Sequence, residues 1–307
     1  MKNSLKIAIL SYRSAPFGGG QGIYVYELSK VLKELGHQVD IISGPPYPEL
    51  MHGIELIKLP GLNLFSTFKF RDRLDLFLNK KNKSFDDWYE FGSTLLGGFP
   101  ELQTFGNRAH SYLLDKTYDV VIDNQSISYG AVKIQDSFPL VEIMHHPISK
   151  DYYYDLKFAK GILQSISKIR WYSFLKMQKS AAKKINVVVT PSMNSKEDIH
   201  IDFQVPMENI QVIPNGIDCD IFCPLPQILS KKNRLITTAS ADVPLKGLDF
   251  SLEAIARLKP EYPDIHLIII GSPRKEGHTE RLLKKLELEN HVSFRTNLTK
   301  EEITQEY

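Results

Sequence analysis

Cysteine is nearly absent: Cys219 and Cys223 are the only two in 307 residues, which excludes a disulfide framework. Their spacing resembles half of a metal site, but no second pair follows, and structural zinc takes about four ligands. Packed thiols in a reducing compartment are the expected state. An excess of either charge is also lacking, since 38 basic residues face 36 acidic ones for a net charge of +2. That balance offers no footprint for nucleic acid. No apolar run approaches the roughly 20 residues that cross a bilayer, and the short run after Lys6 cannot form the core of a signal peptide. A cytoplasmic location is the expectation. With 42% hydrophobic and 24% charged residues, the chain has the composition of a globular protein long enough for two domains.

What is present is a glycine-rich turn, Gly18-Gly19-Gly20-Gln21-Gly22, between the apolar segment Ile7–Leu10 and a segment with helical periodicity. Glycine tolerates positive φ and lets a ligand approach the main chain. A helix N-terminus adds unpaired N–H donors and a positive dipole end, which suits phosphate. Loop closure alone would use the same residues. The helix is expected over Gly22–Leu35, where Val25, Leu28, Val31, Leu32 and Leu35 recur at three- and four-residue steps, with Gly36 as its C′ stop. With strands at Lys6–Leu10 and Gln38–Ile42 this is a βαβ unit, parallel and right-handed. The turn then sits at a strand's carboxyl end, where open α/β sheets bind ligands.

Further strands are expected at Ile54–Leu59, Asp119–Ile122, Leu140–Met144, Val187–Thr190 and Ile210–Ile213. Residues 61–117 read as a mostly helical insertion. Its Phe65, Phe68, Phe70, Phe77, Phe85, Trp88, Tyr89 and Phe91 either pack into the domain or form a face for a membrane or amphipathic acceptor. One long helix is expected over Tyr152–Lys184 and another over Ser195–Phe203. After the loop Pro214–Pro226 a second series begins: strand Leu235–Ala239, helix Gly247–Leu258, strand His266–Ile270 and helix Thr279–Leu288. The expected domains are residues 1–222 and 223–307. The second is short for a domain, and Glu301–Tyr307 read as the middle of a helix, so the chain is expected to be a truncated form of something longer.

Four stretches stand out as candidates for chemistry or for a special turn. His145-His146 follow the strand Leu140–Met144 at the sheet's carboxyl edge, where a histidine can donate to a sugar hydroxyl or move a proton. Adjacent histidines point in different directions, so they do not form a metal pair. Pro214-Asn215-Gly216-Ile217-Asp218 reads as a tight turn with Gly216 at positive φ. Lys246-Gly247 places a cation beside a helix N-terminus, fit to clamp a diphosphate, and Gly271-Ser272-Pro273 stand where a nucleotide would be contacted.

Together these stretches resemble glycosyltransferase family 4. The resemblance rests on Gly19–Leu28, Leu35–Val39, Thr190–Lys196, Val212–Asp218, Lys246-Gly247 and Ile268–Gly271, in order over nearly the whole chain. It implies an α/β fold of GT-B type, two Rossmann-like domains facing across a cleft, the second incomplete here. The acceptor would lie on the first domain and the nucleotide-sugar on the second. It implies retaining transfer from a nucleotide-diphosphate sugar to a hydroxyl of a glycan, lipid-linked or small-molecule acceptor, without an essential metal or other cofactor. Gly19, Gly20 and Lys246 would hold the donor diphosphate, Gly271 and Ser272 the nucleotide, and His145 the transferred sugar. Gln21, Asn124 and His146 are candidate acceptor or sugar contacts. Peripheral contact with the inner face of a membrane is a further expectation, and no nucleic acid is expected as partner. Two departures matter. Family members carry an arginine shortly before the lysine, where this chain has Ser240; Arg274 is the candidate compensating cation. The family's acidic motif, two glutamates around a Gly-Phe-Gly segment, belongs beyond Tyr307, so residues 1–307 alone are expected to bind donor poorly. The alternatives are a non-catalytic acceptor- or partner-binding protein and a GT-B sugar-nucleotide epimerase.

Overall fold

The computed structural model describes residues 4–15, 20–67, 69–159, 161–229, 231–238 and 247–307. Two compact units divide the chain, Met1–Asn215 and Gly216–Tyr307. In the first, β1 (Lys6–Ser11) leads past the glycine-rich turn to α1 (Gly20–Glu34), β2 (Gln38–Ser43) and β3 (Glu55–Lys58). The helices α2 (Phe70–Asn79), α3 (Phe85–Leu95) and α4 (Glu101–Leu113) come next. Then follow β4 (Val120–Asn124), α5 (Tyr129–Gln135), β5 (Leu140–Ile143), α6 (Ser149–Lys157), α7 (Ile162–Trp171) and α8 (Leu175–Ala182). The unit closes with β6 (Val188–Thr190), α9 (Met193–Phe203) and β7 (Ile210–Val212).

Among the described residues the seven strands of this unit form one parallel sheet in the order β3-β2-β1-β4-β5-β6-β7. β1 is central, and Ile7, Ala8, Ile9 and Leu10 are all buried. A strand covered on both faces reads as a continuous apolar run rather than an alternation. On one face Ile7, Ile9, Val39 and Ile41 pack with Val25 of α1. On the other, Ala8, Leu10 and Val121 pack with Phe105 of α4 and Ala131 of α5. Strand order reverses between β1 and β4. Ligands of open α/β sheets bind at such a reversal, outside the carboxyl ends, and the loops after β1, β4 and β5 meet there. α1 stops as its sequence implies: Gly36 has φ 91°, His37 N–H bonds Leu32 O at 3.1 Å and Gly36 N–H bonds Lys33 O at 2.9 Å, a Schellman motif.

The second unit contains β8 (Arg234–Thr238), α10 (Leu248–Leu258), β9 (His266–Ile270), α11 (His278–Lys285), β10 (Val292–Arg295) and α12 (Lys300–Glu306). Its strands are parallel in the order β10-β9-β8, over a core of Leu252, Ile255, Leu267, Ile269 and Leu283.

Several expectations are corrected. The long helix over Tyr152–Lys184 is three helices: Gly161, at φ 94°, precedes α7, and a 3₁₀ turn at Tyr172–Phe174 separates α7 from α8. Apolar spacing continues through both breaks, which is why the pattern read as one element. Gly216 does not have positive φ, and no turn forms at Pro214–Asp218. The chain turns one step later, where Phe222 N–H bonds Asp218 O and Asp218 Oδ1 accepts from Asp220 N–H. Cys219 and Cys223 are exposed rather than packed, because this turning segment lies at the surface. α5 and β10, seven and four residues long, are too short to show a period and were not anticipated. The aromatics of residues 61–117 divide. Phe77 is buried and stacks on Phe91 at 4.3 Å, while Phe70, Phe85, Trp88 and Tyr89 are exposed.

Candidate active site

The site is built from the loops after β1, β4 and β5. Pro16–Gly19 lie outside the described residues, so Gly19 is not placed. Gly20 is the first residue of α1 and is exposed. A Cβ on Gly20 would meet nothing within 4 Å, leaving its main chain open to a ligand. Gly22 has a different function. A Cβ there would lie 3.0 Å from the Ala15 carbonyl carbon and closer to its oxygen, so this glycine lets the turn's backbone press on the helix. Gln21 is partly buried and bonds the Tyr12 hydroxyl.

His145 is held from four sides. Its Nε2 lies 2.8 Å from Asn124 Oδ1, its N–H donates to Gln125 Oε1 at 3.1 Å, and its carbonyl accepts from Ser195 Oγ at 3.5 Å. Tyr24 of α1 meets the ring edge-on, with centroids 4.5 Å apart. Because Oδ1 only accepts, Nε2 carries the hydrogen and Nδ1 keeps a lone pair. The expectation that His145 donates to a sugar hydroxyl is therefore refined: the remaining ring nitrogen is an acceptor. Burial, with a smaller contribution from His146, pushes the imidazole from 6.5 down to about 4, so it is neutral at physiological pH. His146 is turned away, as two successive side chains are, and donates from Nε2 to Asp151 at 3.0 Å.

The loop that supplies Asn124 and Gln125 is strained. Gln125 and Ile127 have φ of 63° and 46°, a left-handed region that non-glycine residues enter at a cost. Beside it lies a cavity of about 240 Å³ lined by Tyr12, Arg13, Gln21, Phe99, Leu102, Gln125, His146, Ile148, Trp171, Phe174 and Gln178. One wall is aromatic: Phe99 stacks on Trp171 at 5.0 Å and meets Phe174 edge-on at 5.8 Å. Arg13 pairs with Glu101 at 3.4 Å. Gln178 is buried and donates to Ser126 O at 3.3 Å, while its Oε1 has no partner.

Thus the structure brings Gln21, Asn124, His145 and His146 to one edge of one sheet. Sequence reasoning missed Tyr24, Phe99, Gln125 and Gln178 as parts of the site. Trp171 and Phe174 were visible only as apolar residues of a helix, and no local pattern shows that they converge with Phe99. In the second unit Lys246 and Ser240 lie outside the described residues. Gly271 follows β9 with φ 146° and donates to Arg295 O at 2.8 Å; Ser272 comes next, and Arg274 O caps the bend that starts α11 by accepting from Gly277 N–H at 2.8 Å. Gly247, at φ 68°, starts α10. His278 and Asp249, 2.7 Å apart, tie the beginnings of α11 and α10 together. Among the described residues no group of three or more His, Cys, Asp or Glu is arranged to hold a metal ion.

Comparison with known proteins resolves the family. The profile of "Glycosyltransferase Family 4" matches residues 18–221, two thirds of the chain. The chain belongs to glycosyltransferase family 4. The profile of "Glycosyl transferases group 1" matches residues 226–307. A curated relative from Mycolicibacterium hassiacum, the "MMP alpha-(1->4)-mannosyltransferase", is 39% identical over 303 residues, covering 97% of this chain and 72% of that protein. Among solved structures, WaaG, a glycosyltransferase involved in lipopolysaccharide biosynthesis, matches with a TM-score of 0.63 at 16% identity over 97% of this chain and 71% of that one. HepE of Anabaena, solved in complex with UDP and glucose, matches with a TM-score of 0.62 at 16% identity, covering 98% and 71%. The family 4 chain is a glycosyltransferase with the GT-B type of α/β fold. Among the described residues no helix is long and apolar enough to cross a membrane.

Proposed function

We propose that this glycosyltransferase moves a mannosyl residue from a nucleoside-diphosphate donor to a hydroxyl of a neutral glycan or glycoside, with retention of anomeric configuration and without an essential metal. The observation that carries the reading is a neutral His145, immobilised by Asn124 and by Tyr24 of α1, whose neighbours Gln125 and His146 line the aromatic cavity. The mannosyl group is suggested by the relative from Mycolicibacterium hassiacum.

In this reading Gly20, at the start of α1, contacts the donor diphosphate; Gly19 and Lys246, which lie outside the described residues, keep the donor-phosphate role that the family resemblance implies. Preorganised donors aimed at developing negative charge are worth a large part of a barrier. Gly271 and Ser272 contact the nucleotide, and Arg274 stands in for the cation missing at Ser240. Nδ1 of His145 accepts a hydrogen bond from a hydroxyl of the transferred sugar. The acceptor occupies the cavity, its apolar ring face on Trp171 and its hydroxyls toward Gln21, Gln125 and His146. Arg13 and His146 already face Glu101 and Asp151, so the cavity suits a neutral ring better than an anionic one.

The test is nucleoside diphosphate release from GDP-, UDP- and ADP-sugars, with methyl α-mannoside as acceptor and the product's anomeric configuration read by NMR. Expected are acceptor-stimulated release, an α-linked product from an α-donor, activity in EDTA, and a loss of about 100-fold in kcat for His145→Ala. A β-linked product, or full activity of His145→Ala, would refute the mechanism.

A further inference from the structure

Parallel pairing sets Asp123 of β4 opposite Glu142 of β5. Both side chains are fully buried, on the sheet face covered by α4 and α5, since Val121 and Leu140 two residues earlier pack there with Phe105, Ala109, Ala131 and Ile134. His145 stands on the other face, against α1. Among the described residues no opposite charge is found to act on the two carboxyls. α4 and α5 present apolar groups to them, the loop after β4 contributes Ser126, whose hydroxyl donates to Asp123 Oδ2, and Gln178 of α8 bonds Ser126 O. Two ionised carboxylates side by side in a dry interior carry both a desolvation penalty and mutual repulsion. Burial first, then Asp123, pushes Glu142 well above the ordinary carboxylate range, and burial raises Asp123 as well.

The strained loop lies directly over this pair. The loop's direct hold on the pair is the Ser126 hydroxyl on Asp123 Oδ2; the amides of Gln125, Ser126 and Ile127 favour the charged carboxyls from nearby, while among the described residues Asp123 Oδ1 and both Glu142 oxygens close no hydrogen bond. Residues at the start of the same loop hold both histidines, since Asn124 takes His145 Nε2 while Gln125 bonds His145 N–H and His146 O. Left-handed Gln125 and Ile127 persist only where their surroundings over-determine them, and the acid pair is what lies beneath.

We infer that Asp123 and Glu142 hold a single proton between them and act as positioning residues, clamping the Asn124–Ser128 loop so that it fixes the tautomer and place of His145. The catalytic meaning rests on the reading of His145 above; the proton and the clamp do not. In the unfolded chain each carboxyl loses its proton in the ordinary range, at about pH 4, whereas the folded pair keeps one to higher pH. Over that window the folded state binds one proton more than the unfolded state, so stability falls as pH rises, until the pair's own raised value is passed. Beyond it two charges repel and the loop lets go of His145.

The test reads the ¹⁵N imidazole signals of His145 by NMR, and the unfolding equilibrium, from pH 5 upward in the intact protein. In wild type the Nε2–H tautomer is expected at neutral pH and lost at alkaline pH, with the unfolding constant rising about tenfold per pH unit over the part of the window above about pH 6.5, where His145 is neutral in both states. Glu142→Gln keeps a neutral hydrogen-bonding group, so it should keep the tautomer and lose both pH dependences. Glu142→Ala should lose the tautomer at every pH. Asp123→Asn, which removes the other charge, is read like Glu142→Gln if that variant fails to fold. Identical pH dependence in wild type and these variants, or a wild type without any gradient, would overturn the inference. Because neither readout requires turnover, an inactive protein would count against the proposed function alone.

Discussion

Gly130 of α5 and Gly106 of α4 meet backbone to backbone, and replacing Gly130 by alanine should be costly for a reason visible in the distances. A Cβ on Gly130 would lie 2.6 Å from Gly106 Cα and closer still to its carbonyl. Comfortable carbon–carbon contact is about 3.5–4.0 Å, so the helices must part by roughly 1 Å. Neither side can yield by changing a rotamer, because both surfaces are helical main chain. Overpacking of this kind costs about 1–3 kcal/mol or more, and the gain in helix propensity returns only about 1 kcal/mol. A net loss of about 2 kcal/mol is expected. The displacement would also reach the site, because Ser128 both caps α5, accepting from Ala131 N–H at 3.2 Å, and ends the loop that holds His145. The assay is urea unfolding monitored by far-UV circular dichroism, with Gly92→Ala as control. Gly92 lies within α3 and a Cβ there meets nothing within 4 Å, so alanine should stabilise by about 0.5–1 kcal/mol. Equal effects of the two substitutions, or a neutral Gly130→Ala, would refute the packing argument.

The glycine-rich turn makes a second contrast. Gly22→Ala should destabilise by about 1–3 kcal/mol through its clash with Ala15, whereas Gly20→Ala should leave the unfolding midpoint nearly unchanged and raise the Kd for nucleoside diphosphate, measured by calorimetry. The pH profile of kcat/KM supplies a third. His145 is depressed from 6.5 to about 4, so a reaction that needs neutral imidazole should keep its rate at about pH 5.5 and lose it only near 4. Over the same interval the unfolded chain takes up a proton that the folded chain refuses, a gradient opposite in sign to that of the acid pair, so the two offset each other there and His145→Asn should unmask a steeper fall of stability with rising pH.

Much of the fold was legible because it is written in short-range pattern. The apolar run at Lys6–Leu10, the periodicity of Val25, Leu28 and Leu32, and the stop at Gly36 each state one element locally, and strand–helix alternation implies a parallel sheet. Elements shorter than about two helical turns, such as Tyr129–Gln135, carry too little pattern to register. Breaks at Gly161 and Tyr172 were hidden by apolar spacing that continues on either side. For the site, position after a strand was enough to single out Asn124 and His145. The left-handed Gln125 and Ile127 were not legible, since nothing in those residue types calls for positive φ; tertiary packing imposes it. Nor were Phe99, Trp171 and Gln178, which come from separate segments and become neighbours only in the folded unit. Asp123 and Glu142 read as ordinary charges in strands until pairing register set them side by side.

The central claim is that an acceptor sits on the aromatic cavity while the donor is activated next to it. Its most direct measurement compares wild type with Trp171→Ala for nucleoside diphosphate release at saturating donor, with and without methyl α-mannoside. The account predicts that donor-only hydrolysis is unchanged while the acceptor's apparent KM rises about tenfold or more, a loss of ~1.4 kcal/mol of binding. An unchanged acceptor KM, or equal loss of both activities, would contradict it.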